Sequence, residues 1–274
     1  MTNSGSDTHV PGGVYLCQIN TDISCGACCG LYNVTDLSRP SLHAILKTRT
    51  QLFTHAPRTI EGILGFKEKI ETHENQLRPY PEFHHCPYIG MIGEEHSRVG
   101  CLLHPLAAGN NGIDFRGLSY YGGMACRNYF CPTYHQLSAD QKRILRHLSS
   151  DWYEYGLIIT EGALLKAIFK EVERRQNQPV TSEKILQTPQ LSSSLQRLFR
   201  LKLNWPFHSP RHSTLANYFF EDHQYQKPSV SYPHPAQTYQ QPIFYQLCSS
   251  FADSQALRQA ERQLEALFLP FDSS

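Results

Sequence analysis

Seven cysteines crowded between positions 25 and 131 constrain this chain more than any other feature. The stretch Cys25-Gly26-Ala27-Cys28-Cys29-Gly30 places three thiols within five residues, and its glycines let the backbone turn around a small centre. Cys86-Pro87 follows, then Cys101 after fourteen intervening residues, then Cys126 and Cys131 with four residues between them and Pro132 behind. Thiolates are soft donors, and a tetrahedral zinc or an iron–sulfur cluster requires four of them, or three plus a histidine. Seven exceeds four, which allows a cluster plus a second ion, or one centre with spare thiols that rearrange. The competing account of a free cysteine is a small buried apolar side chain. It suits Cys17 and Cys248 taken singly and fails for seven residues so gathered. Ligand type permits an iron–sulfur cluster, zinc or mononuclear iron, and spacing does not separate them.

Nine cysteines is an odd number, and the opening Met1 to Gly13 is polar, without the basic and then apolar blocks of an export signal. The expectation is a cytoplasmic chain with reduced thiols and no disulfide framework. Twenty-five Lys plus Arg against twenty-four Asp plus Glu leave a net charge of +1 and no global field to draw nucleic acid or an anionic membrane. No apolar run approaches the roughly 18 residues of a membrane span. With 40% apolar and only 18% charged residues, a charge-rich disordered chain and a coiled coil are excluded.

At 274 residues the chain has room for one large or two modest domains, and its texture changes near residue 135. Before that point, Val14 to Ile19 has strand character. Ser38 can cap a helix whose buried stripe is Leu42, Ile45, Leu46, Arg49, Leu52 and Phe53, and a second helix covers Thr59 to His73 despite Gly62 and Gly65. Tyr88 to Ile92 and Val99 to Leu103 resemble two strands joined by a Gly93 to Ser97 loop. After it, Ser138 and Gln141 form a capping box ahead of Ile144, Leu145, Leu148 and Trp152. Thr160 can cap a helix striped by Leu164, Leu165, Ile168, Phe169 and Val172. Leu191, Leu195, Leu198 and Phe199 mark a shorter one that ends before Pro206. Residues 222–243, rich in Gln, Pro and Tyr, look like an extended linker. The last helix opens at Ser250 and Asp253 and carries Leu257, Ala260, Leu264, Leu267 and Phe268. The expected fold is α+β and mostly helical: an irregular Cys-rich lobe with a small β-hairpin over residues 13–135, packed on a helical lobe over 136–274.

The cysteine pattern resembles the YkgJ-like CxxCxxCC family of zinc- or iron-chelating domains. The shared motifs are Cys25-Gly26-Ala27-Cys28-Cys29, Cys86-Pro87-Tyr88-Ile89, Cys101-Leu102-Leu103-His104-Pro105 and Cys126-Arg127-Asn128-Tyr129-Phe130-Cys131, in the family's order. The resemblance covers about residues 14 to 135 and implies a metal site rather than a particular reaction. Flagellin lysine N-methylases are similar in their cysteine arrangement, which implies that such a scaffold supports redox or methyl-transfer chemistry. Two departures stand out. The family's leading cysteine is Asp22 here, so the first ligand is an oxygen donor, is replaced by Cys17, or is missing. The interval between Cys101 and Cys126 is also longer, and its insertion, Leu106 to Ala125, has the composition of a flap over the centre.

Four histidines, His84, His85, His104 and His135, sit beside cysteines, and His104 is the best placed of them for ligation. Arg127 can offset the charge of gathered thiolates or form a surface salt bridge. Asp114, Arg116, Tyr120 and Tyr121 form no acid/base pair identifiable in sequence, and no catalytic residue is assigned. Arg197, Arg200, Lys202 and Arg211, interleaved with Trp205 and Phe207, are expected to be a solvated basic face rather than a nucleic-acid surface. The functional expectation is a cytoplasmic metal-binding protein. Its Cys25, Cys28, Cys29, Cys86, Cys101, Cys126 and Cys131, with Cys17, Asp22 and His104 as further candidates, hold an iron–sulfur cluster or a zinc or iron ion. Redox or group-transfer work is one use of such a centre. The alternatives are an interaction module with a structural zinc, and metal chelation or delivery.

Overall fold

A computed structural model describes residues 7–74, 78–79, 85–209, 227 and 229–272. His84, Arg211 and part of the expected linker, 222–226 and 228, lie outside the described residues. The fold is α+β and mostly helical, with one two-stranded antiparallel sheet among the described residues. The chain divides into two compact units. The first comprises Tyr15–Phe130 with Ser150–Gly156, and the second comprises Ser6–Val14, Cys131–Ser149 and Leu157–Ser274.

In the first unit, helix α1 (Arg39–Thr54) starts where Ser38 accepts the Ser41 N–H, and α2 (Ile60–His73) starts where Thr59 accepts that of Gly62. The inward face of α1 is Leu42, Leu46, Arg49, Thr50 and Phe53, whereas Leu52 is 39% exposed and faces away. Strands β1 (Ile89–Ile92) and β2 (Arg98–Cys101) pair antiparallel, Ile89 opposite Cys101 and Ile92 opposite Arg98. The loop between them turns through Gly93, Glu95 and His96, all at positive φ. Thr50 Oγ1 accepts the Met91 N–H at 2.8 Å and so fastens α1 to β1. Phe53, Ile63, Phe66, Ile70, Cys86, Tyr88, Leu102 and Leu103 form the core of this unit, with Cys29 and Cys101 packed against it. Helix α3 (Gly122–Asn128) follows.

The strand expected over Val14 to Ile19 is reduced to an isolated bridge between Gln18 and Ser24. Asn20 Oδ1 accepts the N–H groups of Asp22 and Ile23 at 2.8 and 2.7 Å, and this tight turn reverses the chain before a ladder can grow.

The second unit contains α4 (Thr133–Gln136), α5 (Ala139–Leu148), α7 (Gly162–Gln176), α8 (Ser182–Gln187), α9 (Pro189–Asn204), α10 (Gln240–Gln246) and α11 (Ser254–Phe268). Between α5 and α7 lies α6 (Trp152–Ile159), whose start counts with the first unit. The capping box of Ser138 and Gln141 is present, and Asp253 caps α11 by accepting from Gln255 and Ala256. Thr160 does not cap α7. The cap position belongs to Glu161, whose carboxylate instead lies buried between Lys202 Nζ at 2.6 Å and Lys227 Nζ at 3.0 Å. Lys202 is therefore no part of a solvated basic face, and Trp205 is buried as well. α10 occupies the end of the expected linker, because Ile243 and Phe244 are buried and Phe244 packs between Trp205 and Phe251. Among the described residues no helix is long and apolar enough to cross a membrane.

Candidate metal centre

The first cysteine cluster forms a 3-10 turn, Ala27–Cys29, closed by Gly30 in the left-handed region at φ 74°. Gly26 lies so close to β1 that a Cβ there would sit 2.4 Å from Ile89 Cδ1. This close approach brings the turn against the hairpin. The Cys86 N–H then donates to the Cys29 carbonyl at 2.8 Å, and Cys101 ends β2 opposite Ile89.

Five thiols consequently share one neighbourhood. Cys29 is within electrostatic reach of Cys28, Cys86 and Cys101, and Cys86 and Cys101 are both within reach of Cys126. The Cys29 thiol donates a hydrogen bond to Cys28, which lowers the pKa of Cys28 and raises that of Cys29 well above the usual thiol range, with burial adding to the latter. Burial pushes Cys86 up to about 12 and Cys101 up to about 11. Cys28 and Cys126 are exposed, Cys29 and Cys101 are half-buried, and Cys86 is buried. Among the described residues no three His, Cys, Asp or Glu side chains are placed, as they stand, to hold a metal ion. The donor set suits a soft metal in kind, and ligation requires the sulfurs to draw inward.

The Cys25 sulfur accepts from the Ala27 N–H at 3.4 Å and is within electrostatic reach of Tyr32. Cys17 is hydrogen-bonded to Tyr15. Asp22 is exposed and accepts from the Thr21 hydroxyl at 2.9 Å. Cys131 and the exposed His135 belong to the second unit. His104 accepts the Leu106 N–H on Nδ1 at 3.2 Å, and burial together with nearby Arg116 lowers its pKa. Both ring nitrogens of His85 are engaged. Nδ1 donates to the Gly30 carbonyl at 2.7 Å, and Nε2 accepts from the Arg49 guanidinium.

The insertion lies beside the thiols. Ser119 Oγ is 3.3 Å from Cys126 Sγ, and Tyr121 is within electrostatic reach of Cys29, Cys28 and Cys86. Asp114 accepts from Arg116 at 2.9 and 2.8 Å and from Arg127 at 2.9 Å, and these bonds hold its carboxyl well below the usual range. Two guanidiniums on one carboxylate leave a local positive excess, and Arg116 interacts with Cys101 and Cys126. Arg127 therefore reaches Asp114 rather than a thiol.

Arg49 is on the buried stripe of α1 as its spacing predicts, and a charge there is itself a signal, since a buried charge needs a partner. Arg49 is fully buried. It bonds Glu74 through Nε at 2.7 Å and through Nη2, and donates from Nη1 to the Cys86 carbonyl at 3.0 Å. No protein-family model, curated protein or solved structure matches the chain.

Proposed function

We propose that Cys28, Cys29, Cys86, Cys101 and Cys126 bind an iron–sulfur cluster or a zinc or iron ion, in a cytoplasmic protein of the YkgJ-like CxxCxxCC type. The observation that carries this reading is that three thiols from three stretches of chain, Cys29, Cys86 and Cys101, meet at one apolar core, with Cys28 and Cys126 within electrostatic reach of them, where structural needs alone would favour aliphatic side chains. Arg116 stands where the negative charge of several thiolates would accumulate. Tyr121 is within electrostatic reach of Cys28, and Ser119 Oγ is 3.3 Å from Cys126 Sγ. When bound, a cluster supplies one-electron chemistry, and zinc supplies Lewis acidity or a structural clamp.

Anaerobic purification with metal and acid-labile sulfide analysis and an absorption spectrum tests this. A brown protein with labile sulfide indicates a cluster, and a colourless one with stoichiometric zinc indicates an ion. Freshly isolated protein with no transition metal, and with Cys29, Cys86 and Cys101 freely alkylated in the native state, overturns the reading. Chelation then separates a clamp, whose loss unfolds the first unit, from a centre that works on a preformed scaffold.

A further inference from the structure

The buried network behind the thiols joins the two stretches of chain that carry Cys29 and Cys86. Glu74, at the C-terminal cap of α2, accepts from Arg49 on α1; Arg49 donates to the Cys86 carbonyl and to His85 Nε2; and His85 Nδ1 donates to the carbonyl of Gly30, the residue after Cys29. Arg49 has no exposed surface and His85 is 7% exposed, so neither side chain is available to solvent or to a partner. Besides the Glu74 carboxylate, they bond each other and backbone carbonyls, two of which, those of Cys86 and Gly30, belong to or follow cysteines of the cluster. The same two stretches meet directly through the Cys86 N–H and the Cys29 carbonyl.

We propose that Arg49 and His85 are positioning residues for the thiol centre, forming a bracket from Glu74 through Arg49 and His85 to Gly30 that fixes Cys29 relative to Cys86 before any metal arrives. The proposal rests on the metal-binding reading for its purpose, while the bracket itself is testable without metal. Supporting side chains one step behind metal ligands set ligand orientation, and their loss typically costs about ten- to a hundredfold in metal affinity. Imidazole is suited to the place because its two nitrogens can donate to Gly30 and accept from Arg49 at once. A glutamine amide offers a donor and an acceptor at similar separation, whereas leucine offers neither.

The test compares full-length wild type with His85→Leu, His85→Gln and Arg49→Lys. Thr50→Val serves as a control, because it removes a bond between α1 and β1 without touching the bracket. In metal-free protein, native-state maleimide labelling resolved by peptide mass spectrometry gives the rate at Cys86 relative to Cys248, a buried thiol of the second unit. The expected result is about a tenfold or greater relative acceleration at Cys86 in His85→Leu and Arg49→Lys, and rates near wild type in His85→Gln and Thr50→Val. Cobalt(II) titration, followed by thiolate-to-metal charge-transfer absorption, should weaken by a similar factor in the same two variants and recover in His85→Gln. Equal acceleration in Thr50→Val and His85→Leu at equal loss of stability, or no acceleration in His85→Leu, overturns the bracket. If wild type takes up no cobalt while the labelling pattern holds, the bracket stands and the metal reading fails.

Discussion

Cys86 donates its backbone N–H to the carbonyl oxygen of Cys29 at 2.8 Å, so two cysteines far apart in sequence share a main-chain hydrogen bond as well as an electrostatic neighbourhood. Such a bond holds the backbone on which both thiols stand without using either sulfur.

Cys29→Ser, Cys86→Ser and Cys101→Ser should each reduce the bound metal to a small fraction of the wild-type stoichiometry, because a hydroxyl is a poor replacement for a soft thiolate. Cys248→Ser, in the second unit, should leave the stoichiometry unchanged. Elemental analysis of the four purified variants checks both statements.

Two glycines of α2 should respond to alanine in opposite senses. A Cβ at Gly62 would lie 2.4 Å from the Pro57 carbonyl oxygen, so Gly62→Ala is expected to destabilise by about 1–3 kcal/mol despite its better helix propensity. At Gly65 a Cβ meets nothing within 4 Å, and Gly65→Ala should stabilise by about 0.5–1 kcal/mol. Urea unfolding of the two variants reads the difference directly.

Glu161→Gln should be among the most damaging single substitutions in the second unit, costing about 3–5 kcal/mol, because it leaves two buried ammonium groups without their carboxylate. Lys202→Met should cost less, since the Glu161–Lys227 pair that remains is neutral. Thermal denaturation that ranks the two in the reverse order would contradict this account of the triad.

Acid should weaken the second unit. Glu161 is opposed by burial, yet Lys202 and Lys227 together outweigh that cost and lower its pKa; Asp140 is lowered by the Ser182 hydroxyl and N–H, and Glu265 by Arg175. A carboxyl whose folded pKa lies below its unfolded value binds fewer protons folded than unfolded. Its contribution is complete above the ordinary carboxylate range, about pH 4, and is lost as the pH falls through the folded value. Unfolding midpoints measured downward from neutrality should therefore hold steady to about pH 5 and then fall.

What could be read from residue order alone was what local chemistry decides. Ser38, Ser138 and Asp253 cap their helices as expected, since a cap joins groups two or three residues apart. The hairpin was legible from its apolar runs and its Gly93 turn. Thr160 failed as a cap because Glu161 is drawn inward by lysines distant in sequence, a tertiary cause with no local trace. α10 was hidden by a Gln- and Pro-rich composition, although Ile243 and Phe244 supply its buried face. At the site, the motifs pointed to seven thiols, of which Cys28, Cys29, Cys86, Cys101 and Cys126 are within electrostatic reach of one another in a chain of neighbours. The Cys25 sulfur accepts within its own turn and is near Tyr32, a side-chain direction that spacing along the chain does not carry.

Taken as whole residues, the cysteines run from exposed Cys28 and Cys126 through half-buried Cys29 and Cys101 to buried Cys86. That gradient also sets the order in which the protein ages in air. Oxidants act on accessible thiolate, so sulfenic acid formation begins at the exposed Cys126 and reaches the buried Cys86 last. A preparation handled carelessly loses its outer rim while its innermost sulfur stays intact.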